Sequence, residues 1–310
     1  MRIVRHAKHC PEAARHSVLA LGNFDGVHLG HREILKRIGS IAHDSGLLSA
    51  VMTFEPHPVT VLKPNTPPLR ITPFRQKAEL LREAGMDVLF VQHFDERFSR
   101  ITAEDFIRDI LVKQLHVRHL VIGHDFIFGH RRGGNAELLR ALSGAGGYTL
   151  TQVGAQGEGG VTISSSRIRQ HLQAGEIRAA NALLGHAYTL EGHVRKGQNR
   201  GTSLLNCPTA NMYLKDHLRP AFGVYIAEAR IENGAAWLPA ITHIGTNVMF
   251  GGEGAVVETH LLDFSGDLYG KKLCVKPLHF LRPEENFTTV AALRRQMEQD
   301  IACATEHFNL

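Results

Sequence analysis

Apolar positions in the first half of the chain follow two alternating periods. Val18-Leu19-Ala20-Leu21 is a four-residue apolar run that ends at Gly22, the pattern of a buried strand. From His31 the apolar residues recur as Ile34, Leu35, Ile38 and Ile41, the spacing of one helical face. The alternation then repeats. Leu47–Phe54, Asp87–Val91, His119–Gly123 and Tyr148–Val153 read as strands, and Ala136–Leu142 reads as a helix. Thr72-Pro73 opens another helix, with threonine expected as N-cap and proline in the first turn. Thr102 with Asp105 resembles a capping box, followed by Phe106, Ile107, Ile110, Leu111 and Leu115 on one face. Repeated strand–helix units predict an α/β fold: a parallel sheet covered by helices, with ligands at the carboxyl ends of the strands. Gly22 lies at such an end.

After Leu184-Gly185 the texture changes. Gly223–Ile231, Ile241–Gly245, Val256–Phe264 and Leu273–Leu281 are short apolar segments separated by Gly, Pro, Asn and Asp, which predicts an antiparallel sheet or small barrel. A closing helix is expected from about Thr289, its stripe of Val290, Leu293, Met297 and Ile301 packing on that barrel. A chain of 310 residues is long for one domain. The expected division is 1–184 and 185–310.

Composition narrows the function class. There are 35 Lys+Arg against 30 Asp+Glu, a formal net charge of +5, with Arg2, Arg5 and Lys8 in what reads as an N-terminal tail. This balance suits anionic small molecules, and no basic block interleaved with aromatics points to a nucleic-acid partner. The four cysteines are scattered without a CxxC, which fits free thiols in a reducing compartment. The segment MRIVRHAKHCPEAARH lacks the apolar stretch of a signal peptide, and no run reaches membrane-spanning length. A soluble cytoplasmic protein with no membrane partner is expected; the sequence leaves its oligomeric state open.

The turn Leu21–His31 carries the first candidate chemistry. A strand that passes through glycines into a helix sets free backbone N–H groups and the positive helix end beside a ligand, which is an anion site. His28 and His31 stand there, three residues apart. One of them could cap the helix while the other packs; a metal pair would need a third ligand that no nearby spacing supplies. As a functional pair they would bind phosphate and stabilise its developing charge. No GxxxxGK[ST] occurs, so the site is not a P-loop. A second candidate is Ile163-Ser164-Ser165-Ser166-Arg167-Ile168-Arg169, where hydroxyls can cap a helix or hold phosphate oxygens.

These motifs, together with Thr53-Phe54-Glu55-Pro56-His57-Pro58 and Gly123-His124-Asp125-Phe126-Ile127-Phe128-Gly129, make the chain resemble the prokaryotic bifunctional riboflavin kinase/FAD synthetase family. HxGH alone would indicate only the wider nucleotidylyltransferase superfamily. The resemblance implies a Rossmann-like nucleotidylyltransferase domain that transfers AMP from ATP to FMN, followed by a small antiparallel kinase barrel with a terminal helix. It implies that Gly22, Phe24, Asp25, Gly30, His28 and His31 line the ATP site, with Ser164, Ser165 and Arg167 on the phosphates. Phe54, Pro56, His57, Pro58, Phe126 and Phe128 would border the flavin, with Asp125 and Arg132 nearest the reacting groups. TFEPHP as a strand end and proline turn, and the phenylalanines as core, remain compatible readings. Mg2+ would bridge phosphates, and ATP, riboflavin and FMN would be the substrates.

In the second half Cys207-Pro208-Thr209-Ala210-Asn211, Val257-Glu258-Thr259-His260 and Asp267-Leu268-Tyr269-Gly270 resemble the riboflavin kinase module. The resemblance makes Thr209 and Asn211 ligands of Mg-ATP, Glu258 the base and Arg282 a residue on the flavin side. Without it, Glu258 is a glutamate on a solvated strand face. Departures cluster before Pro208. Asn206 stands where the family carries glycine and Ser203 where it carries arginine, while Thr246-Asn247-Val248-Met249-Phe250 replaces the family's xRPTF. Lost cations near a phosphate predict weaker ATP binding and a slower kinase. Two other outcomes stay open: a monofunctional FAD synthetase with a degenerate flavin-binding kinase domain, and a non-catalytic flavin sensor or carrier.

Overall fold

Six parallel strands form the first sheet, in the order β1-β4-β3-β2-β5-β6. They are β1 (Arg2–Arg5), β2 (Val18–Leu21), β3 (Ser49–Glu55), β4 (Val88–His93), β5 (His119–Gly123) and β6 (Thr149–Val153). The computed structural model describes residues 1–154, 162–195, 209–214, 217–232, 234–246 and 255–310. The chain packs as two units, Met1–Ser165 and Ser166–Leu310.

The apolar run of β2 is continuous because both faces of the sheet are covered. Leu19 and Leu21 join Met52, Phe90, Phe106, Leu111 and Leu139 on one side. Val18 and Ala20 join Val51, Leu89, Val121, Leu35, Ile38 and Leu81 on the other. The helices are α1 (Leu29–Ser45), α2 (Pro58–Leu62), α3 (Phe74–Glu83), α4 (Glu96–Ser99), α5 (Ala103–Asp105) and α6 (Ala136–Gly146).

Three local expectations change. Arg2 and Arg5 do not sit in a tail: they belong to β1, which pairs with β4 at the sheet edge. Helix α3 starts at Phe74 with Pro73 at the N-cap and no side-chain cap, because the Thr72 hydroxyl accepts instead from Gly26 N–H at 2.9 Å. Thr102 does cap α5, accepting from Asp105 N–H at 3.1 Å, but the continuation Phe106–Val112 is wound as a π-helix. Its turn still buries Phe106, Ile107, Ile110 and Leu111.

Helix α7 (Ser165–Gln173) begins at the last residue of the first unit, and α8 (Ile177–Leu184) precedes the second unit's antiparallel sheet, in the order β7-β12-β9-β10-β11-β8. Its strands are β7 (Leu190–His193), β8 (Ala210–Leu214), β9 (Gly223–Ile231), β10 (Leu238–Thr246), β11 (Ala255–Leu261) and β12 (Lys272–Pro283). A bridge between Arg195, just past β7, and Asn211 on β8 brings the two edges together into a small barrel. Period-two alternation points Ala240, Thr242, Ile244, Val257 and Thr259 inward. The two threonine hydroxyls satisfy each other at 2.9 Å inside.

Helix α9 (Val290–Phe308) is capped by Thr289 and covers part of the outer face at Val224, Ile226 and Ile241. It packs through Ile301, Ala304 and Phe308. Val290, expected in that stripe, is 54% exposed: it lies in the first turn, ahead of the packed face.

Candidate active sites

The turn between β2 and α1 is held from below. Phe24, Gly26 and Val27 all have positive φ, a costly path for Phe and Val that surrounding contacts must enforce. Asp25 is buried, and its carboxylate accepts from Ile71 N–H at 3.0 Å and Thr72 N–H at 3.1 Å. Lys77 Nζ donates to Asn23 O at 3.1 Å, Thr53 Oγ1 at 3.0 Å and Glu55 Oε1 at 3.2 Å. Arg70 pairs with the same Glu55 at 2.7 Å. Burial lowers the Lys77 pKa, and Glu55 and Asp25 oppose that shift. Phe24 is buried and lies against Gly22, where a Cβ would come within 3.1 Å of its ring.

His28 is the N-cap of α1, its Nδ1 accepting from His31 N–H at 3.3 Å. That bond leaves the ring hydrogen on Nε2, as assigned by the hydrogen-bonding pattern. The rings of His28 and His31 stack with centroids 3.6 Å apart, and Phe24 lies 5.0 Å from His31. His31 Nδ1 is enclosed without a hydrogen-bond partner among the described residues. Burial first, then His28 and Lys77, hold the His31 pKa well below its ordinary value, so the free imidazole is neutral. Gly30 permits this stack, since a Cβ there would meet the His28 ring at 3.2 Å. The serine segment adjoins it. Ser165 Oγ donates to Asp25 O at 2.9 Å, and Ile163 O lies 3.6 Å from the Cβ position of Gly30. Ser164 is half-buried beside them; Arg167 follows on α7.

The aromatic residues form one connected cluster. Phe54 touches Phe94 and Phe98, Phe98 touches Phe106, Phe106 touches Phe128, and Phe128 stacks on Phe126 at 5.4 Å. Phe54, Phe126 and Phe128 are only half-buried, so packing and an open apolar wall coexist. Pro56 follows a cis peptide bond, and His57 caps α2, which begins at Pro58, by accepting from Val59 N–H at 3.2 Å. Asp125 and Arg132 are exposed on the loop beyond β5.

On the second unit's barrel, register aligns a polar row on the outer face. Asn211 on β8 faces Glu258 on β11, Glu258 faces His243 on β10, His243 faces Val224 on β9, and Val224 faces Arg282 on β12. Asn211 Nδ2 donates to Thr209 O at 3.2 Å, which leaves Oδ1 as the atom that can meet a cation. Arg282, expected on the flavin side, makes a bidentate pair with Asp300 of α9, at 3.0 and 2.7 Å, and ties strand to helix. Ser203, Asn206 and Asn247–Phe250 lie outside the described residues.

Sequence reasoning passed over Lys77, Arg70, His243, Glu284 and Asp300. Lys77 left one signal: it interrupts the apolar face Phe74, Ala78 and Leu81 of α3, where a lone lysine needs a buried partner.

The chain matches the FAD synthetase family over residues 10–167 and the riboflavin kinase family over residues 184–308. It is 37% identical, over all of its length and 99% of the relative's, to the bifunctional riboflavin kinase/FMN adenylyltransferase of Escherichia coli K12. To the protein of that name in Listeria monocytogenes it is 38% identical over 91% of this chain and 90% of that one. A solved structure from Streptococcus pneumoniae, named a macrolide-efflux protein, superposes with a TM-score of 0.85 at 30% identity, covering 97% and 98% of the two chains. Among the described residues no helix is long and apolar enough to cross a membrane.

Proposed function

The chain belongs to the family of bifunctional riboflavin kinase/FMN adenylyltransferases, and we propose that its two halves divide the chemistry at about residue 184. It phosphorylates riboflavin to FMN with ATP and adenylylates FMN to FAD with release of pyrophosphate.

In the first half, the attacking group is already an anionic phosphate, so positioning and charge neutralisation carry most of the catalysis. His28 and His31 at the start of α1 offer imidazole donors and the positive helix end to the α-phosphate. An approaching anion raises the His31 pKa again, so the ring can take up a proton from solvent and meet the phosphate as an imidazolium. Gly22, Gly30 and Phe24 shape this pocket, and Ser164, Ser165 and Arg167 hold the phosphates from the other side. Asp25 acts by fixing the turn, since its carboxylate is spent on Ile71 and Thr72. Phe54, Pro56, His57, Pro58, Phe126 and Phe128 receive the flavin ring, with Asp125 and Arg132 at the reacting phosphates.

In the second half the acceptor is a neutral hydroxyl, which needs a base. Glu258 takes the proton from the ribityl 5'-hydroxyl as that oxygen bonds the γ-phosphorus and the bond to ADP breaks. Thr209 and Asn211 would hold Mg2+ through oxygen donors of the type that ion takes. When bound, the ion draws off charge that builds on the phosphates. Arg282 holds α9 against the barrel through Asp300.

The observation that carries this reading is the stacked histidine pair on a helix N-cap, beside the serine segment, in a chain that matches the FAD synthetase model and then the riboflavin kinase model. Incubation with Mg-ATP and either riboflavin or FMN, followed by chromatography of the flavins, tests it. FAD from both substrates is expected. FAD from FMN alone would leave a monofunctional synthetase, and neither product would overturn the enzyme reading.

A further inference from the structure

The barrel's polar row holds a histidine that the phosphorylation chemistry above does not use. His243 presents one ring nitrogen to each of two carboxylates: Nδ1 lies 3.7 Å from Glu258 Oε2, and Nε2 lies 2.9 Å from Glu284 Oε1. Backbone register makes the arrangement specific, because His243 and Glu258 are direct cross-strand partners. Glycine at 245 makes it possible, since a Cβ there would overlap both the Glu284 carboxylate and the His243 ring. Arg282, beyond Val224 in the same row, is paired with Asp300 of α9, and His260 registers with Ile241.

Nε2 is hydrogen-bonded to Glu284 while Nδ1 stands at ion-pair distance from Glu258, and only the imidazolium carries an N–H toward each carboxylate. Burial pulls the His243 pKa down, Glu258 and then Glu284 push it up, and the net value stands above the ordinary 6.5. All three side chains keep about two-fifths of their surface open.

We propose that His243 is a positioning residue for riboflavin phosphorylation, fixed by Glu284 and in turn orienting the Glu258 carboxylate toward the acceptor hydroxyl. The proposal rests on Glu258 being the base. With the carboxylate free to rotate, fewer encounters present a lone pair to the hydroxyl, so the loss falls on turnover rather than on nucleotide binding.

The test uses the full chain with Mg-ATP and riboflavin, following FMN and FAD together from pH 6 to 9. His243→Ala is expected to lower kcat by about ten- to hundredfold while the KM for ATP stays within about twofold. His243→Gln, which keeps two donors, should recover part of that loss. In the wild type kcat should decline as pH rises through the titration of His243, read by NMR of the ring, and Glu284→Gln should move both the titration and the decline to lower pH. A drop in kcat that is the same at every pH, or a change confined to KM, would overturn the proposal. If Glu258→Ala still formed FMN, the base assignment would fall and this inference with it. If Glu258→Ala lost FMN formation while His243→Ala kept it, the inference alone would fall.

Discussion

Replacing Lys77 with methionine removes the cation beneath the histidine turn at nearly constant volume. Three hydrogen bonds disappear, to Asn23 O, Thr53 Oγ1 and Glu55 Oε1. Breaking a buried ion pair costs about 3–5 kcal/mol when the partner is stranded. Here Arg70 remains on Glu55 at 2.7 Å, and methionine escapes the desolvation that lowers the Lys77 pKa. The expected loss is therefore about 2–3 kcal/mol, below that range. In a unit of 165 residues this shifts the melting temperature down by about 4–12 °C. Glu55→Gln should cost more, because it leaves two cations facing each other. Urea unfolding of the single and double variants measures the order and the coupling. FAD formation from FMN should fall in Lys77→Met as Asn23 loses its anchor, while FMN formation stays intact. A loss under about 0.5 kcal/mol with full FAD formation, or Lys77→Met costing more than Glu55→Gln, would rule out the buried Lys77–Glu55–Arg70 network as the support of the turn.

His31 predicts a pH dependence. Its folded pKa lies below the ordinary 6.5, so the unfolded chain binds the proton first, and this share of stability is full above about 6.5 and lost as pH falls toward the folded value. Urea unfolding of wild type and His31→Asn should differ in slope below pH 6.5 by up to about 1.4 kcal/mol per unit; equal slopes would contradict the depressed value. Gly30→Ala places a methyl against the His28 ring and should depress FAD formation with little effect on FMN formation, measured by flavin chromatography. Restoring the family residues with Ser203→Arg and Asn206→Gly should lower the kinase KM for ATP by about tenfold and leave the KM for FMN in adenylyl transfer unchanged.

What could be read from the sequence was local. The apolar run 18–21, the strand 119–123 and the closing helix from about Thr289 stand where periodicity puts them. The histidine pair and the serine segment stood out in the sequence as candidate phosphate motifs, and the fold brings Ser165 against Asp25 of the histidine turn. What escaped depends on partners far along the chain. Lys77 meets Asn23 and Glu55 across 54 and 22 positions, and Arg282 meets Asp300 across a strand and a helix. Thr72 carries the clearest conflict. Its residue type suits an N-cap, but a buried N–H of Gly26 claimed the hydroxyl, and the helix start moved to Phe74. His243 has no motif of its own; only the β10–β11 register shows that it stands between two carboxylates.

The division of labour between the halves is tested most directly by two variants assayed on the same substrates. With Mg-ATP and riboflavin, His28→Ala should form FMN and stop there. Glu258→Ala should form no FMN from riboflavin but still convert added FMN to FAD. Loss of both activities in either variant, with the protein still folded by circular dichroism, would contradict two independent sites.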